Sequence, residues 1–193
     1  MVSYLLGSIS VAVVITKGIL KKDVREVGSG NAGATNVARM FGMGLGVLTL
    51  LGDLVKTAVS MLFGQFLLEE TGFIAAAFAC SIGHCWPIYF KFKGGKGVAV
   101  ACAIAIMLDL RLFAILISIF ILMFIATKIV SVSSMTAAVA FPIVMFWLGE
   151  RSPLEMALGI YITVLILFLH RQNIKRLIQH TEPKFTMRKK KDM

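Results

Sequence analysis

The stretch Gly28–Arg39 reads GSGNAGATNVAR: three closely spaced glycines, short hydroxyl and amide side chains, and a closing arginine. Glycine tolerates positive φ and lets backbone approach a ligand, and successive N–H groups in such a turn form a concavity that holds anions. Gly28, Gly30 and Gly33 supply that freedom. Ser29, Asn31, Thr35 and Asn36 add hydrogen-bonding groups, and Arg39 adds a planar fork matched to phosphate oxygens. A helix starting near Ala34 would point its first N–H groups at the same anion. The plain structural alternative is a solvated glycine-rich turn with a lipid-facing arginine.

Three further polar clusters stand out. His84–Val100 reads HCWPIYFKFKGGKGVAV. Its GGKG lacks the GxxxxGK[ST] pattern of a nucleotide-binding P-loop. Gly94, Gly95 and Gly97 instead bring backbone near a phosphate to which Lys96 adds charge, while Lys91 and Lys93 snorkel to headgroups. His84 could bind substrate, but a buried, hydrogen-bonded structural histidine is the expected role. Lys128–Ser134 reads KIVSVSS, where Ser133 or Ser134 could cap a helix or contact ligand. His170–Phe185 reads HRQNIKRLIQHTEPKF. There His170 and Asn173 share a helical face, Arg171 and Lys175 share a neighbouring one, His180 is a surface residue, and Glu182 could orient a lysine or arginine from the glycine loops or sit in solvent.

Asp53 and Lys56, three apart within an apolar run, are expected to pair, because buried ions are costly alone. Lys56 could instead reach another cluster, or Asp53 could hold Arg39. The histidines and cysteines show no metal-ligand spacing, so no metal site and no cofactor are expected.

These clusters must be carried by membrane-spanning elements. The 193 residues are 58% hydrophobic and 16% charged, with mean hydropathy +0.87, more apolar and less charged than a soluble domain. The pattern predicts an all-α integral membrane protein, a bundle of seven transmembrane helices at 2–16, 45–66, 72–90, 97–109, 112–127, 134–149 and 153–170. The segment 97–109 is short or partly re-entrant, and six spans with one re-entrant segment is the main competitor. With the N-terminus outside and the C-terminus cytoplasmic, every Lys and Arg except Arg111, Arg151 and Lys56 falls on the inner side. All four clusters then share that face. Basic residues follow the first apolar run rather than precede it, which points to a retained helix and not a signal peptide. Cys80, Cys85 and Cys102 form no CxxC and suggest no disulfide framework. The basic run from Lys184 onward suits anionic lipid headgroups; no base-reading element accompanies it, so nucleic acid is not an expected partner.

The motifs also resemble a known family. GSI at Gly7–Ile9, GSGNAGATNVAR, Gly52-Asp53 with Lys56, GHCWPIYFKFKGGKGVA from Gly83, SVSS at Ser131–Ser134 and HRQNIKRLI at His170–Ile178 are similar to those of the bacterial glycerol-3-phosphate acyltransferases that use acyl phosphate as donor, the PlsY family. The resemblance covers nearly the whole chain and implies a single acyltransferase domain over 1–182 with a basic cytoplasmic tail over 183–193. It implies a multi-pass protein of the bacterial cytoplasmic (inner) membrane with its active site on the cytoplasmic face. The implied reaction moves a fatty acyl group from acyl phosphate to the 1-hydroxyl of sn-glycerol 3-phosphate, giving lysophosphatidate and inorganic phosphate.

Both implied substrates carry phosphate, which Arg39, Lys96 and glycine-loop N–H groups can bind together. Phosphate is already a good leaving group, so direct attack without a covalent acyl-enzyme is the simplest route, helped by positioning and electrostatics. The donor's own phosphoryl oxygen takes the proton in the favoured scheme, with His170 orienting phosphate; His170 as general base and Ser29 as acylated nucleophile remain the alternatives. Ser133 and Asn173 join the phosphate-binding set; Asp53, Lys56, Ser134, Arg171 and Glu182 support it. A monomer is the economical expectation. Three positions depart from the family pattern: Ser10 replaces a usual proline, Val100 a threonine, and His180 the glycine before Thr181-Glu182. The competing class is a small transporter of an anionic phosphorylated metabolite. Such a protein should show midplane polar groups or internal repeats.

Overall fold

The computed structural model describes residues 1–149 and 151–186, and these are helical with connecting turns. The helices are α1 (Val2–Gly7), α2 (Val11–Leu20), α3 (Ala34–Phe41), α4 (Met43–Cys85), α5 (Val98–Leu108), α6 (Leu110–Thr127), α7 (Val130–Trp147), α8 (Pro153–Leu169) and α9 (Arg171–Ile178). Large apolar side chains face outward along them, including Phe66 at 86% and Trp147 at 81% exposure, as lipid contact demands.

The expected seven-helix transmembrane bundle is not what the chain forms. Among the described residues, three helices are long and apolar enough to cross a bilayer, within Met43–Phe90, Leu110–Thr127 and Val130–Trp147. A fourth is reached if α8 and α9, bent by 56°, count as one span. The predicted first span, 2–16, is broken between Gly7 and Val11 into two short helices. The predicted span 45–66 and all but the last five residues of 72–90 lie in the single run α4. A straight 43-residue helix would be about 65 Å long, twice the hydrocarbon thickness. The run breaks at Leu68 (φ −142°) and Glu69 (φ 50°). Gly64 and Gly72 on either side lie against each other, so a Cβ on either would strike the other's carbonyl oxygen. The short helix expected near 97–109 is α5, 11 residues long.

The chain divides into two compact units, Met1–Ala103, to which Thr186 also belongs, and Ile104–Phe185. In the first, α1, α2 and α3 all pack on α4. Gly7 meets the backbone of Cys80 and Gly83 meets that of Tyr4, a small-residue contact of the kind that lets helices approach closely in lipid. Tyr4 Oη donates to Trp86 O at 2.9 Å. In the second unit, α7 packs on both α6 and α8. One end of this unit is fixed by Asp109, which caps α6, pairs with Arg111 at 2.9 Å and with Arg151 at 2.6 Å, and by the Ser152–Glu155 capping box of α8. The other end carries Ser131, His170, Asn173 and Glu182. The expected basic tail extends from 183 to 193; its residues 187–193 lie outside the described residues.

Polar groups buried in the first unit converge on one lysine. Lys56 Nζ lies 2.8 Å from Asp53 Oδ1, donates to Gly7 O at 3.1 Å and Ile9 O at 2.8 Å, and lies 3.1 Å from His84 Nδ1. The ammonium therefore absorbs carbonyls freed where α1 ends and ties them to both arms of α4. Lys56→Met leaves the Asp53 carboxylate buried without its cation, a loss that typically costs about 3–5 kcal/mol. A large fall in thermal midpoint is expected in detergent, with Asp53→Leu in the same chain restoring part of it.

Candidate active site

Within the first unit, the glycine-rich loop is built around an amide side chain. Asn36, in the first turn of α3, is buried. Its Nδ2 faces the carbonyls of Val24, Val27 and Asn31 at 3.0, 3.0 and 3.1 Å, and its Oδ1 accepts from Ser29 N at 3.0 Å. Asn36 thus orders the loop from inside, which leaves its amide committed to backbone. Gly28 (φ 61°) and Gly30 (φ 71°) occupy left-handed backbone. A Cβ at Gly28 would strike Asn36 Oδ1 and come within 2.8 Å of Met40 Cγ. α3 starts at Ala34, as the sequence suggests, with Gly33 as its N-cap and Arg39 in its last turn. Ser29 is exposed; Asn31, Thr35 and Arg39 are half-buried.

The GGKG loop is seated on His84. Gly95 N donates to His84 O at 3.0 Å, and a Cβ on Gly95 would enter the imidazole. His84 Nδ1 faces Lys56 and stands 3.5 Å from Asp53 Oδ1. His84 is therefore the buried structural histidine expected from sequence. Lys56 pairs with Asp53 and also reaches this second cluster, so the two options left open for it both hold. Gly94 packs on His84 O and Pro87, Gly97 takes φ 81°, and Lys96 between them is half-buried. Lys91 and Lys93 are exposed.

A residue that sequence reasoning passed over joins these loops. Arg25 Nε and Nη2 donate to the two carboxylate oxygens of Asp23, at 3.0 and 2.7 Å, while Nη1 donates to Phe90 O at 2.9 Å. The hydrogen bonds from Arg25 hold the Asp23 carboxyl below the ordinary carboxylate range despite its burial, and Lys17 at 3.1 Å adds to this. The signal was an Asp-x-Arg pair directly before the glycine loop, legible only as another basic loop residue.

The second unit carries its own cluster. Glu182 Oε1 accepts from Ser131 Oγ at 2.7 Å and Asn173 Nδ2 at 2.6 Å, and Oε2 accepts from Arg176 Nε at 2.7 Å. Burial alone would raise the Glu182 pKa, but these three donors outweigh it and lower it. His170 is buried where α8 meets α9, with Nδ1 2.8 Å from Ile166 O. A carbonyl only accepts, so Nδ1 carries the proton, and in the neutral ring Nε2 holds the lone pair. Ser133 and Ser134 do not cap α7. The helix starts at Val130 with Ile129 as N-cap, so Ser133 lies inside and its Oγ donates back to Ile129 O at 3.1 Å. Ser134 is buried; Arg171 is exposed and stacks on Phe168 at 4.6 Å.

Glycine loops and basic side chains on an apolar helical scaffold mark this as a polar site in a membrane-embedded helical protein. A family model described as glycerol-3-phosphate acyltransferase matches residues 1–180, and the chain belongs to that family. It is 41% identical to the glycerol-3-phosphate acyltransferase of Syntrophotalea carbinolica, over 95% of this chain and 94% of that protein. Its backbone matches the crystal structure of PlsY (YgiH), an integral membrane glycerol 3-phosphate acyltransferase, in the glycerol 3-phosphate form, with TM-score 0.90 and 34% identity over 96% of this chain and 92% of that one. The lysophosphatidic acid form of the same enzyme matches with TM-score 0.87 and 33% identity over 95% and 92% of the two chains. The chain is accordingly a multi-pass integral membrane protein.

The lowered Glu182 pKa has a defined sign. A carboxyl whose folded pKa is depressed stabilises the fold above its ordinary value of 4.5, and this contribution is lost as pH falls through the folded value. The thermal midpoint of the parent should exceed that of Glu182→Gln at pH 7. The gap should close as pH is lowered through and below the ordinary carboxylate range, as read by melting curves across pH.

Proposed function

We infer that this chain transfers a fatty acyl group from acyl phosphate to the 1-hydroxyl of sn-glycerol 3-phosphate, releasing lysophosphatidate and inorganic phosphate. The observation that carries this is the full-length similarity to an enzyme solved in its glycerol 3-phosphate and lysophosphatidic acid forms, joined to two glycine loops whose backbone is held open by Asn36 and His84. The polar clusters carry Arg39, Lys91, Lys93, Lys96, Lys128, Arg171, Lys175, Arg176 and Lys184, whereas Glu69, Glu70 and Asp109 lie at other turns. The basic character of these loops supports a cytoplasmic active face.

Arg39 and Lys96 neutralise phosphate charge. Backbone N–H groups of Gly28–Gly33 and Gly94–Gly97, with Ser29, Asn31 and Thr35, position the oxygens. Asn36 acts by shaping the loop rather than by contact. The glycerol hydroxyl attacks the acyl carbon directly, the acyl C–O bond to phosphate breaks, and the hydroxyl proton ends on the departing phosphate. No acyl-enzyme is needed, because phosphate already leaves well. His170, whose Nδ1 lies 2.8 Å from Ile166 O, is the protein candidate to orient phosphate or take the hydroxyl proton. Glu182 holds Ser131, Asn173 and Arg176 within the second unit and not a cation of the glycine loops, although His180 stands where the family has glycine. Arg171, Ser133 and Ser134 support the helices that carry these groups.

Purified protein in detergent, given palmitoyl phosphate and glycerol 3-phosphate, should form lysophosphatidate and phosphate in equal amounts without acyl-CoA. Vesicle-reconstituted protein that moves glycerol 3-phosphate across the bilayer but makes no lysophosphatidate would instead establish the transporter.

A further inference from the structure

The two glycine loops come from distant parts of the sequence, yet a single side chain spans them. Phe90 opens the GGKG loop. Its carbonyl already accepts Lys93 N at 3.2 Å, and two left-handed residues follow it, Lys91 and Phe92, both at φ 57°. Asp23 likewise already accepts Arg25 N at 3.0 Å and pairs with Lys17. Both acceptors therefore have donors besides the Arg25 guanidinium. Its bond to Phe90 O adds something else, a fixed spacing between the loop that Asn36 shapes and the loop that His84 seats. The Arg25 Cζ lies 5.6 Å from the Phe90 ring centroid, so the ring holds the fork from below.

We propose that Arg25 is a positioning residue that sets the two phosphate-binding loops in register, so that both phosphorylated substrates depend on one clamp. It touches neither substrate. It acts through Phe90 O on the Lys96 loop and through Asp23 and its own backbone on the Ser29 loop. The guanidinium is needed because one planar group must serve a carboxylate through Nε and Nη2 while Nη1 points to a carbonyl; an ammonium offers no such divided geometry. This rests on the acyltransferase reading above.

The test uses the full chain in detergent and compares the parent with Arg25→Ala, Arg25→Lys and Phe90→Leu. Initial rates are measured with each substrate varied at fixed concentrations of the other, alongside thermal midpoints. Arg25→Ala should raise KM for glycerol 3-phosphate and for acyl phosphate together by about tenfold, the scale of one charge-assisted hydrogen bond. Arg25→Lys should fall near Arg25→Ala rather than near the parent, and Phe90→Leu should move both constants in the same direction by less. The proposal is overturned if neither KM moves beyond twofold, if only one moves, or if Arg25→Lys behaves as the parent. It is equally overturned if the variants lose thermal stability while both KM values stay put. Should Arg25→Ala fail to fold, Arg25→Lys alone decides. A parent that forms no lysophosphatidate would defeat the functional reading instead, so the two failures are distinct.

Discussion

A charged ammonium buried among apolar helices is the constraint on which the first unit depends. Lys56 cannot be left alone in a lipid-facing fold, since an unpaired buried ion costs several kcal/mol. The chain meets that demand with one carboxylate, two main-chain carbonyls and one imidazole nitrogen. Each partner belongs to a different piece of structure: Asp53 to the same helical arm, Gly7 and Ile9 to the break after α1, and His84 to the far arm of α4. Satisfying one charge thereby joins three segments. The same His84 presents its carbonyl to Gly95, so the floor of the GGKG loop is set by the chemistry of the buried lysine.

Anion binding by backbone needs N–H groups to point outward, and something inward must hold them there. In the first loop that role falls to Asn36, whose amide meets four backbone groups at once. In the second it falls to His84. Glycine at 28 and 95 is required for different reasons. Gly28 adopts a left-handed conformation with Asn36 against its Cα, whereas Gly95 needs room above the imidazole. In the proposed reaction, Arg39 and Lys96 add their charge to this main-chain framework. In the second unit, one carboxylate, Glu182, organises the end that carries Asn173, Ser131 and the buried His170.

Local elements were more legible in the sequence than the number of spans. Clustered glycines beside Ser, Thr, Asn and Arg mark a loop, and α3 begins at Ala34 where that loop ends. The Asp53–Lys56 pair follows from spacing and the cost of burial. Span counting failed for physical reasons. The first apolar run contains Ser8 and Ser10, and the tertiary partner Lys56 stabilises a break there that hydropathy does not register. The break at Leu68–Glu69 does fall between the expected spans 45–66 and 72–90. Asn36 was legible as polar but not as inward-facing, and Arg25 was one basic residue among several, because both roles depend on contacts between segments. His180 is instructive in the other direction. It takes φ 55° at the end of α9, a conformation that explains a family glycine. Histidine is among the side chains that visit it, and the turn, with Thr181 N on Arg176 O at 2.8 Å, still brings Glu182 to Ser131.

The central claim is that cationic side chains laid over these main-chain cradles hold the phosphates of donor and acceptor for direct transfer. Its most direct measurement is turnover of palmitoyl phosphate and glycerol 3-phosphate by the doubly neutralised chain, Arg39→Gln with Lys96→Met, beside a melting curve that establishes its fold. The account predicts a folded protein whose lysophosphatidate formation has fallen by at least about a hundredfold. A folded double variant that turns over at the parent's rate would contradict it.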